Sequence, residues 1–182
     1  MSLLLAALAL APSHLVLNLA PDNSTIHLGE NFMGQLRYTN SGRTPVTVLP
    51  MNASEHRIHK APRGHIEVRR VGQDKWGGLT GPPGCGNTNP IQVSDFQVLQ
   101  AGESALRQAW FPWKEGVVGK SNMEPGQYEV RFVYDTSEPI DNWIGGPVPE
   151  PLHSRRRADI QALFDGTPHG VFVSGPVRLT VR

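Results

Sequence analysis

The sequence predicts an all-β protein, an antiparallel sandwich of short strands with one long decorated loop, and three observations carry that prediction. Apolar and polar residues alternate with a period of two in several separate runs, the mark of strands with one face buried. The 182 residues include 19 Gly and 16 Pro, more than average usage, so turns are frequent. Charged residues make up only 18%, below the usual quarter, and a chain of this length buries one core as one domain.

Taken in order, Met1-Ser2 is followed by an apolar stretch from Leu3 to Ala11, too short to span a bilayer that needs about 20 residues. It reads as a secretory signal over residues 1–13, with small Ala11 and Ser13 ahead of His14, although no Lys or Arg precedes it. Residues 14–182 are then the single mature domain, with no membrane span. Leu15, Leu17 and Leu19 share one strand face; Phe32, Leu36 and Tyr38 oppose Gln35, Arg37 and Thr39, and Asn40-Ser41-Gly42 ends that run in a turn. Val46 and Val48 follow, and Ile66 and Val68 alternate with Glu67 and Arg69. Gln100 to Ser104 is a turn between a run with Phe96, Val98 and Leu99 and one with Leu106, Trp110 and Phe111. Val177, Leu179 and Val181 against Arg178, Thr180 and Arg182 form the last strand.

The most informative stretch runs from Pro125-Gly126 to Tyr134, a turn that delivers a strand with Tyr128, Val130, Phe132 and Tyr134 on one face. A Gly-x-Tyr there fits the corner of an immunoglobulin-like sandwich, in which the phenol hydroxyl bonds back to upstream backbone. Two regions do not read as strand. Gly72 to Pro90, with Gly77-Gly78 and Gly81-Pro82-Pro83-Gly84, is a loop that no regular ladder tolerates. Residues 138–170 form the inserted loop, in which Ser154 caps a short helix from Arg155 to Asp165 with apolar Ala158, Ile160, Leu163 and Phe164 and a stop at Gly166, ahead of the last strand.

Several classes of chemistry find no support. With 17 basic and 16 acidic side chains and a net charge of +1, there is no field to gather nucleic acid. Cys85 is the only cysteine, which excludes an internal disulfide and a multi-cysteine zinc site, and no base near it in sequence marks it as a nucleophile. His56 and His59 lack the helix and the third ligand that a metal needs; no cofactor motif, nucleophile elbow or phosphate loop is present. Binding is the better prospect. Asp141-Asn142-Trp143 sets an aromatic among polar groups in a loop, the mix of sugar- and protein-binding surfaces, and Trp76, Trp110 and Trp113 are further aromatic faces. Arg155, Arg156 and Arg157 could clamp an anionic group, although cations at a helix start oppose its dipole. Asn23-Ser24-Thr25 and Asn52-Ala53-Ser54 match the glycosylation sequon.

Cys85 to Pro90, Leu99 to Ser104 and Pro125 to Tyr128 are similar to segments of bacterial exported proteins of unknown function with an immunoglobulin-like sandwich. Leu28-Gly29-Glu30 with Tyr38 to Gly42 and Pro45-Val46 resembles, more loosely, accessory sandwich domains of the intracellular proteinase inhibitor type, although the insertion after Tyr134 departs from that pattern. The resemblance covers roughly residues 14–135 and implies an architecture more than an activity. The expectation is a non-enzymatic module of the periplasm or cell exterior that contacts a protein or glycan through Asn142, Trp143 and the three arginines, with no metal or cofactor. Its rival is a hydrolase, metal-dependent or not, drawing on His56, His59, Asp141, His153 or His169.

Overall fold

The computed structural model describes residues 14–51, 61–79, 91–112, 124–144 and 149–182. The expected signal segment, Cys85, His56, His59, Asn52 and Trp113 lie outside the described residues. The described residues are mostly strand, arranged in antiparallel sheets with a single α-helix. One sheet holds β1 (Leu15–Pro21), β3 (Asn31–Asn40) and β8 (Ser104–Pro112) in the order β1-β3-β8. A larger one runs from β2 (Thr25–Ile26) through β11 (Val177–Val181), β9 (Gly126–Asp135) and β5 (Arg63–Arg70) to β6 (Gly77–Leu79), with β10 (Val171–Val173) also on β9. The short β2 runs parallel to β11, and the other pairings are antiparallel.

The alternation read from sequence is the burial pattern observed. Leu15, Leu17 and Leu19 of β1, Phe32, Leu36 and Tyr38 of β3, Val130, Phe132 and Tyr134 of β9, and Leu179 and Val181 of β11 all enter one core. The inward faces meet directly: the Tyr38 ring stands edge-on to Phe132 and Tyr134, with centroids 6.3 and 5.3 Å away. Close strand approach decides Gly34, where a Cβ would lie 2.5 Å from the Ala20 carbonyl oxygen.

The ladder between β3 and β8 does not stop at the turn after Asn40. It bends and resumes as β4 (Val46–Val48) against β7 (Gln97–Leu99). Buried Asn40 holds the bend: its Nδ2 donates to the carbonyls of Thr44 and Leu99 at 2.8 and 2.9 Å, and its Oδ1 accepts from the Gly42 amide at 2.9 Å. Gly102, at φ +80°, supplies the left-handed residue of the facing turn and donates its amide to the Asn40 carbonyl at 2.8 Å.

After β4 the chain leaves the ladder, and the polar backbone of Leu49, Pro50 and Met51 draws on side chains. The Tyr134 hydroxyl donates to the Leu49 carbonyl at 3.1 Å, Arg107 Nε to that of Pro50 at 3.2 Å, and the Tyr38 hydroxyl to that of Met51 at 3.0 Å. The same Tyr38 oxygen accepts the Met51 amide at 3.1 Å. At the start of β9 the expected bond of Tyr128 is present, its hydroxyl donating to the Glu124 carbonyl at 2.7 Å.

Three expectations need correction. Gly77-Gly78 does not break the sheet: both pair with β5 as part of β6, at its edge, where missing side chains cost little packing. The final strand is in two pieces, β10 and β11, separated at Ser174, Gly175 and Pro176, so two strands follow the insertion rather than one. Where the ladder breaks, the Ser174 hydroxyl replaces a carbonyl and accepts the Phe132 amide at 2.9 Å. The helix, α1 (Leu152–Asp165), begins before Ser154.

Tyr38→Phe keeps the ring and deletes both bonds to the buried Met51 backbone. It should lower unfolding free energy by about 1–3 kcal/mol, the cost of leaving buried backbone groups unpaired; urea titration reads this as an earlier midpoint with unchanged slope.

Candidate functional site

The insertion was the expected binding region, and the structure disperses its residues. The Trp143 side chain is fully buried, at 0% exposure. It follows a 3₁₀ turn (Ile140–Asn142), lies parallel to Phe96 with centroids 6.2 Å apart, and stands edge-on to Phe164 of α1 at 5.2 Å. Its indole nitrogen donates to the Glu138 carbonyl at 3.1 Å, so the polar handle is satisfied internally. Trp143 is a core residue under the helix, not a surface aromatic. Asn142 is exposed, but its amide is engaged by Glu138 Oε2 at 2.7 Å.

The three arginines fan out because consecutive helix residues point about 100° apart. Arg157 reaches Asp141 at 3.0 Å, while Arg155 and Arg156 make no ion pair with the described residues. They do not converge as a clamp. Arg156 and Arg157 sit beyond the first turn of α1 and Arg155 closes it, so the expected conflict with the helix dipole is confined to Arg155. Ser154 is not the N-cap, a place taken by Pro151; its hydroxyl donates to Glu150 Oε2 at 2.8 Å. That bond holds the Glu150 carboxyl below its usual range, aided by the Ser154 amide and by His153 and opposed by slight desolvation.

Of the described residues on which a hydrolase would draw, Asp141, His153 and His169, only Asp141 and His153 approach one another, at 3.8 Å, with Glu150 3.6 Å from the other ring nitrogen. Asp141 is already paired with Arg157. His169 is elsewhere, its Nδ1 3.0 Å from the Thr136 carbonyl. Among the described residues no group of three or more His, Cys, Asp or Glu side chains could hold a metal, and no helix is long and apolar enough to cross a membrane.

A different cluster stands out on the outer face of the larger sheet. The tripeptide Glu-Val-Arg occurs twice, as Glu67-Val68-Arg69 in β5 and Glu129-Val130-Arg131 in β9. Antiparallel pairing centred on Val68 and Val130 sets Glu67 opposite Arg131 and Arg69 opposite Glu129. Each arginine applies Nε and Nη2 to one carboxylate oxygen: Arg69 to Glu129 Oε2 at 2.7 and 2.6 Å, Arg131 to Glu67 Oε2 at 2.7 and 2.6 Å. Trp76, just ahead of β6, covers this quartet, its ring centroid 4.0 Å from Arg131 Cζ and 4.5 Å from Arg69 Cζ. Cation–π contact of this kind contributes about 0.5–2 kcal/mol and fixes the indole in place. Beside Trp76, Gly78 pairs with Glu67, and among the described residues a Cβ there would touch only His65 Cδ2, at 4.0 Å. His65 Nε2 lies 3.5 Å from Glu67 Oε1. In the sequence Trp76 is one aromatic face among several, and the repeated Glu-Val-Arg tripeptide is the signal that locates its seat.

No family model and no curated protein matches the chain. Similar solved structures include the sporulation control protein Spo0M of Bacillus subtilis, at 12% identity and a TM-score of 0.41 over 93% of this chain and 49% of that one. Another is the alkylpurine DNA glycosylase AlkC of Pseudomonas fluorescens, at 10% identity and a TM-score of 0.40 over 93% of this chain and 31% of that one. A CARDB domain of Pyrococcus furiosus gives 8% identity and a TM-score of 0.35 over 92% of this chain and 87% of that one. This chain thus spans half or less of the first two proteins, and likeness this distant assigns it no activity.

Two outcomes follow. Trp143→Ala should destabilise the fold by about 3–5 kcal/mol, the usual cost of emptying a core aromatic site, as read by denaturant unfolding. Ser154→Ala should return the Glu150 carboxyl upward toward its ordinary range, as followed by carboxyl NMR titration. A carboxyl depressed on folding contributes stability above its unfolded pKa and loses it as pH falls through the folded one, so the variant loses this small, exposed contribution at all pH values above that window.

Proposed function

We propose that the chain is a non-enzymatic binding or structural module on an immunoglobulin-like sandwich, working outside the cytoplasm and contacting a protein or glycan partner. The strand order supports the immunoglobulin-like class: three strands face a larger sheet in which β9 lies between β5 and the final strands, and Tyr128 ties the corner at the start of β9. Export rests on the apolar opening from Leu3 to Ala11. The observation that carries the binding reading is the indole of Trp76, held by two guanidiniums on an outward sheet face. An aromatic immobilised before its partner arrives loses little entropy on binding, which is how rigid anchors gain affinity. The contact surface is therefore the outer face of β5, β6 and β9 rather than the helical insertion.

The test is a binding screen of the purified full chain against immobilised glycans and a panel of proteases, with Trp76→Ala in parallel. A specific signal that Trp76→Ala weakens by about tenfold or more, the loss of one anchor residue, is expected. Silence in both panels, or turnover of a glycan or peptide substrate, overturns the reading.

A further inference from the structure

The notch beside Trp76 points to one class of ligand, and we propose that it binds the ring of a neutral hexose or N-acetylhexosamine within a glycan. The inference rests on the binding-module reading and names its ligand. Gly78 forms the floor, since no side chain rises from the position opposite Glu67 and, among the described residues, only the edge of His65 comes within 4.0 Å of a Cβ placed there. Trp76, two residues earlier in the chain, stands on one side and His65 on the other; Glu67 and Arg131 form the back.

Charge decides against ionic ligands. Two carboxylates and two guanidiniums cancel within the quartet, so an anion meets Glu67 and Glu129 as it meets Arg69 and Arg131, and a cation fares no better. Each ion pair nevertheless leaves polar capacity on the surface. Both arginines apply Nε and Nη2 to a carboxylate, which keeps Nη1 as a donor, and both carboxylates accept through Oε2, which keeps Glu129 Oε1 as an acceptor while Glu67 Oε1 faces His65 Nε2 at 3.5 Å. Planar groups offering donors and acceptors side by side match the adjacent hydroxyls of a sugar, each of which donates and accepts. The indole supplies the apolar surface against which the C–H side of a pyranose ring rests. A purely apolar ligand would strand the charged groups without water, at a cost above its own burial.

The test uses the full chain, an array of neutral hexose and N-acetylhexosamine oligosaccharides, and sialylated and sulfated glycans as charged probes, followed by calorimetry on any hit. Trp76→Ala removes the platform. Gly78→Val fills the notch without disturbing the ion pairs, at a backbone position that any residue adopts. A neutral oligosaccharide should bind, and both variants should weaken it by about tenfold or more, while Arg155→Ala leaves it unchanged. Thermal unfolding of Gly78→Val should match the parent, so that its loss of binding reports the notch and not the fold. Preference for charged glycans, or neutral-glycan binding indifferent to Gly78→Val, overturns this proposal and leaves the binding-module reading standing. A protease in the earlier panel that binds through Trp76 while every glycan fails does the same. Absence of binding to every glycan and protein overturns both.

Discussion

Passage between the sheets at Leu49, Pro50 and Met51 is the constraint around which the body of the molecule is arranged. A chain leaving one sheet for the other has backbone carbonyls that no neighbouring strand can pair, and burial makes that deficit costly. Here the donors come from both sheets: Tyr38 of β3 and Arg107 of β8 from one, Tyr134 of β9 from the other. Because the two phenols also meet edge-on in the core, the hydrogen bonds and the aromatic contact position each other. Each bond contributes only about 0.5–1.5 kcal/mol net. Their collective effect is to fix one sheet against the other in a chain whose single cysteine excludes an internal disulfide.

The outer face of the larger sheet follows a different economy. Paired arginines and glutamates at the surface contribute little to stability one by one, but the duplicated Glu-Val-Arg makes them a nearly symmetric quartet on which one indole settles. Symmetry and internal neutrality together give the quartet its chemical character, rigid and polar in both senses, with exposed Arg178 of β11 beside it opposite Glu129. The helical insertion, by contrast, turns its aromatics inward. Trp143, Phe164 and Ile160 extend the core at one end, and the Thr47 amide bonds the Gly166 carbonyl at 2.9 Å to seat the helix against β4.

Legibility in the sequence divided along these lines. Strands with one wet face were readable because a period of two is a local property, and the residues placed inward in β1, β3, β9 and β11 are those found in the core. The Tyr128 corner was readable because its partner lies only four residues upstream. What escaped depended on long-range pairing. Nothing near Gly77 and Gly78 announces a strand until β5 is alongside, and Trp76 gains its position from arginines in two separate strands. Trp143 misled for the complementary reason, since a tryptophan among polar neighbours looks exposed until Phe96 and Phe164 close over it. The helix starts two residues ahead of Ser154, after Pro151, and Ser154 lies in its first turn with its hydroxyl donating to Glu150 instead of capping the helix.

Thr136 gives the long excursion between β9 and β10 a closed neck. Its amide donates to the Gly170 carbonyl at 2.9 Å, its hydroxyl accepts the Gly170 amide at 3.0 Å and donates to the Pro168 carbonyl at 2.7 Å. Departure and return are thus stitched at one threonine, and the register of β10 on β9 is set there, whatever the contour length of the chain between. Lengthening the excursion costs only the slowly growing entropy of a larger loop. A fold clasped in this way can vary its ornament from one descendant to another while the two strands that carry it stay in step.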